Sequence, residues 1–208
     1  MAEDWTEEET RRHVGEGNDT WVIPVNVTAD AGQRVLNFWH VEDVLKRAGR
    51  IAVGECDCRK KMRRCDHTLE GCLFTGPWYD DAVKEGYARP ATREEALAIL
   101  KRTYDEGLVL IMAEADEGPF KICSCCPCCC LQLAGLKKFG MEYALLSSGY
   151  VAAHDGDLCT SCGACLERCH FGAATRGDGG IRLEPEKCFG CGLCVGTCPS
   201  GARRLVEK

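Results

Sequence analysis

The feature that most constrains this chain is a duplicated run of cysteines. CTSCGACLERCHFGAA begins at Cys159, and CFGCGLCVGTCPSGAR begins 29 residues later at Cys188. Each copy reads C-x2-C-x2-C-x3-C, and Gly163, Gly172 and Ala173 superpose on Gly192, Gly201 and Ala202. Self-similarity at a fixed offset marks one supersecondary unit used twice. Three cysteines in a tight, glycine-bearing loop can converge on three corners of an iron–sulfur cube, and in a duplicated unit the fourth ligand comes from the other copy. Crossed ligation follows. One cluster takes Cys159, Cys162, Cys165 and Cys198; the other takes Cys188, Cys191, Cys194 and Cys169. The glycines let backbone N–H groups approach the sulfurs and stabilise an anionic cluster. Zinc is the competing reading, although zinc sites more often use two separated C-x2-C pairs. A disulfide framework is the third.

Residues 148–208, with these eight cysteines, resemble the bacterial-type ferredoxins that hold two [4Fe-4S] clusters. The resemblance implies a pseudo-twofold βαβ-βαβ fold and single-electron transfer, with purely structural clusters as the alternative. One departure stands out: the second motif ends in Cys198-Pro199, as in the family, but the first ends in Cys169-His170. Proline there shapes a turn and supplies no ligand, so His170 bears on the local potential rather than on the cluster's presence. The GDGG stretch from Gly177 to Gly180 suits a hairpin turn.

Composition sets the surroundings. Eighteen cysteines in 208 residues, with no apolar run near the roughly 20 residues of a membrane helix, exclude membrane insertion as the expectation. The start, MAEDWTEEETRR, lacks the basic and apolar regions of a signal peptide, so reduced thiols in an anaerobic or well-protected cytoplasm are expected. A net charge of −6 argues against a nucleic-acid partner. No P-loop or dinucleotide fingerprint is present.

Ten cysteines lie upstream, in two groups. Cys56, Cys58, Cys65 and Cys72 form C-x-C-x6-C-x6-C, threaded by Arg59, Lys60, Lys61, Arg63 and Arg64. Cations beside an anionic cluster stabilise its charge; the same run also reads as a solvated face, or as a surface for an acidic partner or substrate. The second group is ICSCCPCCC, with Cys123, Cys125, Cys126, Cys128, Cys129 and Cys130. Neighbouring side chains point in different directions, so these six cannot all serve one cube, and Pro127 favours a ligand loop. C-D-C-R, two further cysteines and ICSCCPCCC together resemble, over residues 20–205, a group of anaerobe iron–sulfur proteins without an assigned activity. That resemblance implies only low-potential redox metabolism.

One additional cube, two cubes, or an irregular centre using five or more thiols all satisfy the arithmetic; a division of four plus six favours two sites. Because C-x-C thiols are too close for two well-spaced corners unless the backbone bends, residues 50–130 are expected to form one metal-binding region. Its candidate ligands are Cys56, Cys58, Cys65, Cys72, Cys123, Cys125, Cys126, Cys128 and Cys129, with the strand at Leu108–Met112 bringing the two groups together. The whole chain then holds at least one iron–sulfur cluster beyond the two of the tail, or about 12 irons, and about 16 with two upstream cubes.

The expected fold class is α+β: a cysteine-rich α/β-type domain over residues 1–148 and a ferredoxin-like domain over 149–208, joined near Gly149–Gly156. Val41–Ala48 reads as a helix, Ile51–Val53 and Leu108–Met112 as strands. Thr92 with Glu95 forms a capping box for a helix that ends near Gly107. Residues 1–20 read as an extended or frayed arm, and Trp21, Trp39 and Trp78 as core anchors. His67 reads as hydrogen-bonded rather than ligating, and His13, His40 and His154 have no ligand company in sequence. The expected function is low-potential electron transfer to or from a redox partner protein. The alternative is an iron–sulfur oxidoreductase whose upstream centre, cubane or not, is fed by the tail.

Overall fold

The computed structural model describes residues 4–14, 20–25, 39–115, 118–178 and 180–208. Two compact units emerge, one of Met1–Trp21 with Glu42–Leu146 and one of Val22–Val41 with Ser147–Lys208. The chain changes unit at 21/22, 41/42 and 146/147, the last of these just before the Gly149–Gly156 stretch. Tyr150–His154 within it is a strand of the C-terminal unit.

The first unit runs α1 (Glu7–Val14), β1 (Thr20–Val22, its last residue in the second unit), α2 (Trp39–Arg47, its first three residues in the second unit), β2 (Ile51–Glu55), α3 (Asp57–Met62), β3 (Glu70–Thr75), α4 (Pro77–Lys84), β4 (Ala88–Ala91), α5 (Arg93–Asp105), β5 (Val109–Ala115), β6 (Gly118–Cys125) and α6 (Leu131–Phe139). Its six-stranded sheet has the order β1-β5-β6-β3-β2-β4. The β2–β3, β2–β4, β3–β6 and β5–β6 pairs are all antiparallel. The chain is thus a mixed α and β protein with antiparallel sheets.

Strand alternation divides the sheet into two chemistries. Leu73, Ile122 and Ser124 face one way, where the Thr103 hydroxyl of α5 meets the Ser124 hydroxyl at 2.7 Å. Cys72, Phe74, Cys123 and Cys125 face the other way; Cys72 and Phe74 join the buried cluster of Ala52, Cys56 and Ala82 of α4. Helix α5 starts as its sequence demands, since Thr92 Oγ1 accepts the Glu95 amide at 3.1 Å and Gly107 follows with φ 90°.

Of residues 1–20, the described residues 4–14 are not a frayed arm, and 1–3 and 15–19 lie outside the described residues. Thr6 caps α1 reciprocally: its Oγ1 accepts the Glu9 amide at 3.1 Å while Glu9 Oε2 accepts the Thr6 amide at 3.0 Å. Thr10 and Val14 are buried one turn apart, and Trp5, 9% exposed, donates its Nε1 to the Cys129 carbonyl at 2.8 Å. Trp5 is therefore an anchor that composition conceals. Trp78 is 43% exposed and is no core residue, Trp21 is half-buried, and the side chain of Trp39 lies outside the described residues. Thr6→Ala is expected to cost about 1 kcal/mol of helix stability. Faster amide exchange across residues 10–14, with the α5 amides unchanged, would show it.

The second unit contains β7 (Tyr150–His154), α7 (Ala164–Glu167), β8 (Ala174–Gly177), β9 (Gly180–Leu183), α8 (Leu193–Gly196) and β10 (Arg203–Glu207). Strands β7 and β10 pair antiparallel, as do β8 and β9, whose connection runs through Asp178 and residue 179, the latter outside the described residues. Among the described residues no helix is long and apolar enough to cross a membrane.

Candidate metal centres

In the C-terminal unit the two copies of the motif share backbone conformation at equivalent positions. Ser161 and Gly190 occupy equivalent positions with φ 53° and 68°, Gly163 and Gly192 with 83° and 77°, and Gly172 and Gly201 with 70° and 74°. Each glycine at the second of these positions opens a one-turn helix, α7 or α8, and the turns close alike. The Cys169 amide bonds the Leu166 carbonyl and the Cys198 amide the Val195 carbonyl, both at 3.2 Å. Backbone amides then point at sulfur: Ser161 to Cys159, Ala174 to Cys169 and Ala152 to Cys188, each at 3.4 Å. Burial raises the Cys198 thiol, but the Ser200 hydroxyl and the amides of Ser200, Ala202 and Arg203 outweigh it and hold the group down. Burial pushes Cys191 up to about 12 and raises Cys194, with Arg203 opposing the latter. Arg203 is 4% exposed; its Nη2 donates to Cys165 Sγ at 3.3 Å and its Nη1 has no partner. Thiols receiving N–H bonds beside a buried guanidinium are a donor set suited to an anionic cluster.

Residues 158–202 match the family model of a 4Fe-4S dicluster domain. No curated protein matches the chain. The C-terminal dicluster segment therefore has ferredoxin-like iron–sulfur character. Stacked Phe171 and Phe189, 4.4 Å between centroids, line a small apolar cavity with Cys169, Cys188, Cys191 and Cys194. Cys162 of the other loop is exposed.

The upstream cysteines are regrouped by the fold. Cys58, Cys56, Cys72, Cys123, Cys125 and Cys130 form a chain of neighbouring thiols. Cys72 lies opposite Cys123 in the β3–β6 register, so these strands join directly; β5 is on the far side of β6 and does not mediate the meeting. Cys56 precedes α3, Cys58 lies in its first turn, and Cys130 is the N-cap of α6. Cys130 is not among the ligands expected from the sequence; its cue is its position before a helix, where its side chain parts from that of Cys129. Within this chain Cys56 is held down to about 2 by hydrogen bonds from Cys58 and Cys72, and Cys123 is lowered by Cys125 and Cys72. Their donors are correspondingly raised: Cys58 by Cys56, Cys72 by Cys123 and Cys125 by Cys123. Negative charge concentrated on Cys123 raises the Lys121 ammonium in turn.

The second upstream group is Cys65, Cys126, Cys128 and Cys129, whose sulfurs all lie within 4.8 Å of one another. Cys65 belongs to the loop after α3; the others lie in the turn before α6, closed by the Cys130 amide on the Cys126 carbonyl at 3.0 Å. Burial raises Cys126 and takes Cys128 up to about 11.

Between the two groups sits Arg59, 2% exposed. Its Nη1 donates to the Ser124 carbonyl at 2.7 Å, whereas Nε and Nη2 have no hydrogen-bond partner. Gly71 leaves room for it, since a Cβ there would stand 3.0 Å from Nη2. Burial lowers the affinity of this guanidinium for its proton, but Cys56, Cys126 and Cys72 reverse that and raise it. No carboxylate among the described residues pairs with Arg59, so the compensating charge must come from thiolates. A donor set of thiols around an orphaned buried cation fits a bound anionic metal–thiolate centre.

The rest of the basic run has a different role. Lys61 pairs with Glu9 at 2.7 Å and Arg64 with Asp4 at 3.0 Å, while Lys60 pairs with Glu55 at 3.1 Å. The acidic partner of Lys61 and Arg64 is the chain's own N-terminal stretch. His67 approaches Glu106 at 3.5 Å rather than joining the thiols.

Proposed function

We propose that the chain is an electron-transfer protein with three iron–sulfur clusters. The dicluster segment would hold two [4Fe-4S] clusters by crossed ligation, through Cys159, Cys162, Cys165 and Cys198 and through Cys188, Cys191, Cys194 and Cys169. The chain of six thiols, Cys56, Cys58, Cys72, Cys123, Cys125 and Cys130, would hold the third. The observation that carries this reading is the duplicated loop geometry with its N–H bonds to sulfur, over a segment that matches a dicluster family. Bound clusters supply reversible one-electron chemistry.

The chain's own residues would tune and insulate that chemistry. Amide donors and Arg203 stabilise negative charge at the sulfurs, and the Phe171–Phe189 stack keeps water from one loop. Exposed Cys162 marks the edge where a redox partner protein would exchange electrons. On the same loop an open hollow of about 720 Å³, lined by Cys159, Ser161, Arg176 and Arg182 with Asp178 as its one carboxylate, would offer two guanidinium groups to an acidic partner. One observation favours the rival reading, an oxidoreductase with an irregular upstream centre: six thiols exceed the four a cube uses.

Anaerobic iron and sulfide analysis of the intact chain, with electron paramagnetic resonance after stepwise reduction, tests both. The proposal expects about 12 irons with equal sulfide and three interacting one-electron signals. About eight irons would remove the upstream cluster. A signal altered by small thiols, disulfides or carbon monoxide would replace the carrier with the enzyme.

A further inference from the structure

We propose that Cys65, Cys126, Cys128 and Cys129 bind a single zinc ion as a closed tetrathiolate, separate from every iron–sulfur cluster of the chain. The geometry carries the inference. Cys65 Sγ lies 3.8 Å from Cys126 Sγ and 3.7 Å from Cys129 Sγ, and Cys128 and Cys129 are 3.8 Å apart. A tetrahedron with Zn–S bonds of about 2.3 Å has an edge of about 3.8 Å. A cube sets its thiolates apart by roughly 6 Å, because each caps a different iron.

Local structure explains the short spacing. Three of the ligands fall within residues 126–129, in a turn closed by amides of Cys129 and Cys130 on the Cys126 carbonyl at 3.4 and 3.0 Å. So tight a turn gathers sulfurs toward a point and does not spread them over the corners of a cube. The dicluster cysteines serve as an internal comparison. Among the described residues, no other set of three or more Cys, His, Asp or Glu side chains brings its ligand atoms within 4.8 Å of one another. Mutual approach of four sulfurs is therefore particular to this site among the described residues, whereas the other upstream thiols meet only pairwise along their chain.

The surroundings point to a structural ion. Four thiolates complete a tetrahedron and leave no open position, as in closed zinc sites. Cys126 and Cys129 are each 1% exposed and pack with Trp5, Met62, Leu131 and Met141. A Zn²⁺ with four thiolates carries a net charge of about −2, and Arg59 faces Cys126 with two N–H groups otherwise unpaired. The ion would fasten the loop after α3 to the turn before α6, and through the Trp5 bond to the Cys129 carbonyl it would also hold α1 in place.

The test is elemental analysis and zinc-edge X-ray absorption on the full chain, purified anaerobically. About one zinc per chain is expected, with a single shell of four sulfurs at about 2.3 Å and no iron neighbour. Cys65→Ser should lower zinc at least tenfold with iron unchanged, and Cys65→His should keep zinc with one sulfur exchanged for nitrogen. If Cys65→Ser fails to fold, the wild-type absorption spectrum decides alone. Four irons lost with Cys65→Ser, a stoichiometric single iron in place of zinc, or a Cys65–Cys129 disulfide in metal-free protein would each overturn the assignment. The iron count tests the electron-transfer reading separately, so either proposal can fail without the other.

Discussion

Arg59→Leu is expected to destabilise the N-terminal unit, loaded with the metal centres proposed above, by about 3–5 kcal/mol, the range for removing one partner of a buried charge pair. The side chain is 2% exposed, and among its neighbours are Cys56, Cys72 and Cys126, which belong to both thiol groups. Leucine fills part of the volume but leaves thiolate charge buried without a counter-charge. It also deprives the Ser124 carbonyl of its 2.7 Å donor. Arg59→Lys should recover about half of the loss, because the ammonium keeps the charge but cannot span Ser124 and both groups at once. Anaerobic urea unfolding at matched metal content, followed by far-ultraviolet circular dichroism, reads the effect. A change below about 1 kcal/mol for leucine would show that the thiols are not charged as a metal–thiolate centre requires.

The inward turn of Arg59 is not encoded in the order of its neighbours. Five basic residues stand close together between cysteines, and nothing in their order separates the one that enters the core from those that pair with surface carboxylates. Six-residue α3 decides it by turning position 59 inward, and Gly71 leaves the space. The division of the cysteines was hidden for a related reason. Proximity in sequence groups Cys65 with Cys56, Cys58 and Cys72, but the antiparallel register that sets Cys72 against Cys123 is a long-range fact. Cys65 is left to the turn at 126–129. What sequence does show is local. The alternation of Cys123 and Cys125 on one face of β6 follows from the strand period. Strand β6 ends at Cys125, and Pro127, which lacks a backbone N–H, stands in the turn that carries Cys126, Cys128 and Cys129. The capping box at Thr92 was legible; the same signature at Thr6 and Glu9 was equally present but lay within an acidic, polar stretch. Its helix matters because of Trp5, whose partner is more than a hundred residues away.

The duplicated tail was legible because its constraints are local and repeated, and that locality makes Gly192 the sharpest position to test. Gly192 has φ 77°, and a Cβ there would collide with the backbone oxygen of Val25, itself fully buried in the same unit. Gly140 has nearly the same conformation, φ 65°, at the end of α6, with nothing within 4 Å of where an alanine methyl would stand. The two glycines separate backbone strain from crowding. Gly140→Ala is expected to cost about 1 kcal/mol, the penalty of a left-handed alanine. Gly192→Ala adds a collision with backbone that cannot rotate away, so the loop between Cys191 and Cys194 must open. The total should be about 3 kcal/mol or more, within the range of strain combined with overpacking. Loss of iron from the dicluster segment is expected in this variant and not in Gly140→Ala, measured as iron per chain together with the anaerobic melting temperature. Equal melting shifts in the two variants, with iron intact in both, would mean that Val25 yields and that the second motif does not depend on the close approach at Gly192.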